Sequence, residues 1–72
     1  MESFLYCIKD KVTKRFAPPF IQNCDEAAQR EFENAFRSNQ MLNRDDFALF
    51  KCGQYDVLTG VITPLEVSEV IL

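Results

Sequence analysis

A chain of 72 residues makes one domain, and at this size only about 60% of the surface exposed by the unfolded chain is hidden on folding, so the core is small. With 47% hydrophobic residues, seven Phe, two Tyr and only two Gly, the composition excludes a disordered or low-complexity chain. A formal charge of -3, from 8 Lys+Arg against 11 Asp+Glu, excludes a protein that coats nucleic acid by bulk charge neutralisation.

In chain order, Phe4, Leu5, Tyr6, Cys7 and Ile8 form an unbroken β-prone run, which predicts a strand buried on both faces and central in its sheet. A charged loop over 9–15 ends it. Phe16, Ala17, Pro18, Pro19, Phe20 and Ile21 predict an edge strand or rigid connector, because proline restricts its predecessor and cannot donate to a central ladder. A helix is predicted from Asn23, with Asn23 as the cap and Glu26 reaching back in a capping box. Its apolar stripe is Ala28, Phe32, Ala35 and Phe36, its outer pairs are Glu26 with Arg30 and Glu33 with Arg37, and its end falls near Ser38 or Asn39.

After a polar loop over 39–46, the run from Phe47 to Cys52 and the return at Val61, Ile62 and Thr63 predict a hairpin. In the turn, Asp56 can accept from the Thr59 backbone and Gly60 can take positive φ. Pro64 should break or bend the return strand. The apolar tail over 65–72, with Val67, Val70, Ile71 and Leu72, should then add a strand or dock on a neighbouring subunit. The expected fold is a single α+β domain over 1–72: a small sheet of three to four strands with one helix packed on one face, in the order β-β-α-β-β. Chains this short often complete their core by self-association, which points to a homo-oligomer, a dimer in the simplest case.

The chemistry expected is binding. No histidine is present, so a nucleophile has no imidazole base, and Gly53 and Gly60 are too isolated to cradle a phosphate. Asp45 and Asp46 read as turn-capping carboxylates. Cys7, Cys24 and Cys52 are odd in number and widely spaced, which argues against metal ligation and against a disulfide framework. As small hydrophobes they suggest a reducing cytosol. No metal, cofactor or enzymatic activity is expected, the N-terminal segment does not read as a signal peptide, and no run reaches membrane-spanning length.

Charge is unevenly placed. Lys9, Lys11, Lys14 and Arg15 stand against Asp10 alone in 9–15, whereas Arg30, Arg37, Arg44 and Lys51 face nine carboxylates in the remainder from residue 16. A basic loop on an acidic body can meet a phosphate backbone at one edge, although an ordinary solvated turn has the same composition. Among the rings that could stack on unpaired bases, Phe20 and Tyr55 lie beside turns and are favoured over Phe16, Phe47 and Phe50.

The ordered set Tyr6, Ile8, Asp10; Pro19, Phe20; Asn23; Ala28, Arg30, Phe32; Asp46, Phe47, Leu49, Phe50; Gly53, Tyr55, Asp56; and Thr59, Gly60, Ile62, Pro64 resembles the small nonstructural protein of gokushoviruses, single-stranded DNA phages of the Microviridae. The likeness spans roughly residues 6 to 65. It implies a protein of the bacterial host cytoplasm that binds single-stranded viral DNA and assists single-strand synthesis and genome packaging. Lys9, Lys11, Lys14, Arg15 and Arg30 would then hold phosphates, and Phe20 or Tyr55 would stack on bases. The alternative is an adaptor that contacts the replication initiator or procapsid proteins through its apolar tail and acidic surface, with no direct DNA contact.

Overall fold

The computed structural model describes residues 2–71. Strand β1 (Glu2–Asp10) lies between two partners, pairing antiparallel with β2 (Arg15–Phe16) and β3 (Phe20–Gln22) on one side and with β4 (Phe47–Asp56) on the other; β5 (Ile62–Glu69) extends the sheet beyond β4. The α+β class and the order β-β-α-β-β hold, with the second expected segment divided into two short strands.

That division has a local cause. Pro18 and Pro19 have no N–H to give, so the ladder lapses between β2 and β3, held in register by the Ala17 N–H donating to the Ile8 carbonyl at 2.8 Å. Because the gap lies on an outer edge, β1 keeps its central place, with Tyr6 and Cys7 buried and the rest of the strand half-buried or exposed. Tyr6 is fully buried and its neighbour Cys7 is 9% exposed on the opposite face, as an alternating strand requires.

Helix α1 (Asp25–Ser38) packs on one face of the curled sheet. Its Ala28 and Phe32 join Tyr6 and Leu49 in the buried core, with Phe4, Ile8, Phe20, Phe36, Phe47 and Val70 packed around them. Burial of Phe32 alone is worth about 1.5–3 kcal/mol. The helix ends at the expected place, but Ala35 is exposed, because a narrow i, i+4 stripe of 28, 32 and 36 suffices to meet the sheet.

The expected capping box does not form. The cap position falls on Cys24, with extended backbone and no side-chain hydrogen bond. The acid of the first turn is drawn inward instead: Asp25 Oδ1 accepts from the Tyr6 hydroxyl at 2.6 Å and meets Lys51 Nζ at 2.9 Å. Lys51 lies over the Phe4 ring at 4.5 Å, so its charge is sandwiched between an aromatic face and a carboxylate. Glu33 likewise pairs with Arg44, at 2.7 Å, rather than with Arg37.

The hairpin turn forms as its sequence specifies. Asp56 Oδ1 accepts from the backbone of Leu58 at 2.9 Å and Thr59 at 3.3 Å, and Gly60 takes φ of 77°. Pro64 does not break β5, since an outermost strand can spare a donor. It does sit where the pairing slips: Gly53 faces Pro64 but Lys51 faces Ser68, so β5 gains two residues on β4. The tail thus adds a strand and then turns Val70 onto its own core; residue 72 lies outside the described residues.

Candidate nucleic-acid interface

Alternation along the strands sorts the side chains into two sets. Phe4, Tyr6, Ile8, Phe47, Leu49 and Lys51 point toward the helix. Cys7, Lys9, Phe16, Ala48, Phe50 and Cys52 point to the far face, where β1 pairs Cys7 with Phe50 and Lys9 with both Phe16 and Ala48.

On that far face the Phe16 and Phe50 rings meet edge to face, 5.5 Å between centroids. The Lys9 ammonium lies 5.5 Å from the centre of the first ring and 6.0 Å from the second, within the range where a cation is attracted to an aromatic face. Phe16 is 47% exposed. A cation and two rings, one of them open to solvent, are the elements that hold an unpaired base and its phosphate.

Beside this cluster the β1 to β2 turn is shaped by Asp10, whose Oδ1 accepts from the backbone of Val12 at 2.9 Å and Thr13 at 3.3 Å. Lys14 closes it with φ of 61°, and its N–H donates to the Asp10 carbonyl at 2.7 Å. The one carboxylate of the segment is therefore occupied by backbone donors. Among the described residues, Lys9, Lys11, Lys14 and Arg15 form no ion pair, whereas Arg44 and Lys51 do. The loop keeps its charge while the acidic body neutralises part of its own.

The other expected residues divide. Lys11 is anchored through its N–H to the Asp46 carbonyl at 2.8 Å and faces a cleft of about 300 Å³ on the helix side, shared with Phe32, Arg44, Phe47 and Glu69; the sheet edge separates it from Lys9. Arg30 is exposed, two positions from both Ala28 and Phe32 and so on the outer face of α1. Tyr55 lies on the far face but opposite Ser3, six residues and about 20 Å along the strand from Lys9. Phe20 is no open ring: it stacks on Tyr6 at 5.9 Å, facing the helix. Phe16 and Phe50 take its place, and the signal for them was the strand alternation that puts both on the face of Lys9.

Ionisation follows these contacts. The Tyr6 hydroxyl and Lys51 hold the Asp25 carboxyl below its ordinary range, and Arg44 does the same for Glu33. Burial and Asp25 together raise the Tyr6 hydroxyl. Among the described residues no three His, Cys, Asp or Glu side chains gather as a metal site, and no helix is long and apolar enough to cross a membrane.

A family model described as Phage ORF5 protein matches residues 3–72. No curated protein and no solved structure matches the chain.

Proposed function

Because the chain belongs to the Phage ORF5 protein family, we propose that it is a gokushovirus-type nonstructural protein that binds single-stranded viral DNA and assists single-strand synthesis and genome packaging in the bacterial cytoplasm. The observation that carries this reading is Lys9 held over Phe16 and Phe50 on the face away from the helix. Phe16 stacks on an unpaired base, Lys9 meets the adjoining phosphate, and Lys14 in the turn, with Arg15 turned to the helix side opposite Asp10, takes the backbone around the sheet edge. Tyr55, farther along the same face, supplies a second contact. Lys11 and Arg30, directed elsewhere, add long-range attraction only.

Titration of a fluorescent oligonucleotide across a salt series tests it. Affinity should fall steeply with salt, and removing two phosphate contacts should flatten the logarithmic slope by about 1.4. Lys14→Asn with Arg15→Ala is the suitable pair, because asparagine tolerates the left-handed backbone at position 14. Phe16→Ala should weaken binding by roughly tenfold, the scale of one stacked base. Absence of binding at low salt rejects the proposal.

A second reading, an adaptor that touches replication or procapsid proteins, is favoured by β5, all eight residues of which are exposed. Ile62 (59%), Leu65 (36%) and Val67 (52%) present apolar surface there. The same strand would serve self-association. Substituting Ile62 and Val67 by threonine should abolish partner capture if protein contact is the function, and should leave oligonucleotide binding intact if DNA binding is.

A further inference from the structure

The far face carries a second arrangement that nucleic-acid binding does not use. Cys7 Sγ and Cys52 Sγ are 3.0 Å apart, from residues 45 positions apart in sequence. This is closer than an ordinary sulfur contact and longer than the roughly 2.05 Å of a bonded pair. Register explains the approach. Leu5 faces Gly53 while Tyr6 faces Lys51, so Cys52 is the extra residue of a bulge in β4. The bulge brings its side chain diagonally across to Cys7.

From this geometry we infer that Cys7 and Cys52 are a redox-active dithiol, which a small disulfide such as oxidised glutathione converts to an intramolecular cross-link between β1 and β4. Roles within the pair follow from access. Cys7 is 9% exposed, and burial together with Cys52 pushes its thiol up to about 12. Cys52 is half-buried, so it meets the reagent first. Its thiolate attacks one sulfur of glutathione disulfide, forming a mixed disulfide and releasing one glutathione. Cys7 sulfur then attacks the Cys52 sulfur, the mixed bond breaks, and the second glutathione leaves with the Cys7 proton. Two thiols are oxidised and one glutathione disulfide is reduced to two thiols. Cys24, at the start of α1 on the helix side of the sheet, takes no part. Where glutathione is kept reduced the pair rests as a dithiol, and in an oxidising medium as the cross-link.

The test is a glutathione redox titration of the folded full-length chain, followed by thiol counting after denaturation, intact mass and peptide mapping. Two of the three thiols should vanish, the mass should fall by two hydrogens, and Cys24 should remain alkylatable. Cys24→Ser should oxidise identically, leaving no free thiol. Cys7→Ser should stop at the glutathione adduct on Cys52, with no intramolecular bond formed. The cross-link closes a long loop in the denatured ensemble, so the oxidised form should melt about 10 °C or more higher than the reduced one. Three thiols persisting in excess oxidised glutathione, a product linked through Cys24, a covalent dimer, or an oxidised form that melts no higher each overturns the inference. The wild-type count decides even if a cysteine variant fails to fold.

Discussion

Asp25 shows how one side chain can join three elements of this domain. It opens α1, accepts from Tyr6 on β1 and binds Lys51 on β4, while the helix start itself lacks a side-chain cap. Its carboxyl is held low by the Tyr6 hydroxyl first and Lys51 second. A depressed carboxylate contributes stability that is present above its unfolded pKa of about 3.9 and is lost as pH falls through the folded value. The thermal midpoint of the wild type should therefore decline on acidification below about pH 4, with Glu33 contributing in the same direction. Asp25→Asn should melt lower at neutral pH and decline less in acid, a difference that parallel melts at several pH values would measure. Tyr6→Phe removes the hydroxyl but leaves Asp25 its partner Lys51; a cost of about 1.5–3 kcal/mol, the scale of a hydrogen bond to a charged group, is expected in urea unfolding.

At the scale of elements, the hairpin and the β1 to β4 pairing set the geometry of the far face. Gly53 is pinned there: a Cβ would lie 2.9 Å from Leu5 Cδ1 and 3.3 Å from the Thr63 carbonyl oxygen. Leu5 can rotate away but the backbone oxygen cannot, so Gly53→Ala should destabilise by about 1–3 kcal/mol in denaturant melts. Gly60→Ala fails for another reason, since its space is open but its φ is positive; about 1 kcal/mol is expected. Local chemistry of this sort was legible in the sequence. Asp56 and Gly60 announce their turn with no help from the remainder of the chain, and the apolar run of β1 announces a central strand. Asn23 and Glu26 announce a cap that does not form, because the helix starts one residue later, with Cys24 at the cap position and Asp25 turned inward to Tyr6 and Lys51. The basic loop was likewise legible as composition. Which ring would stand beside it was not, because Phe16 and Phe20 differ only in which side of the proline break they occupy, and the pairing with Lys9 or Tyr6 decides their fate.

The molecule as a whole is longer than a sphere of its mass, 39 × 22 × 20 Å, and its surface of 5196 Å² exceeds the roughly 4,600 Å² of a compact monomer. The excess has a visible source in β5, which leaves Ile62 and Val67 more than half exposed. If copies associate, Ile62→Thr with Val67→Thr should lower the solution mass measured by sedimentation or light scattering, with the far-ultraviolet spectrum unchanged. Trimming the tail is the poorer experiment, because Val70 belongs to the core.

Proline stands on both outer margins of the sheet, Pro18 and Pro19 in the gap between β2 and β3 and Pro64 within β5 beside the slipped pairing. Neither margin presents the even row of donors and acceptors that templates a further strand. Neighbouring molecules are thus steered toward contact through side chains, and an overproduced chain is guarded against seeding fibrils by strand recruitment, even though its last strand is bare.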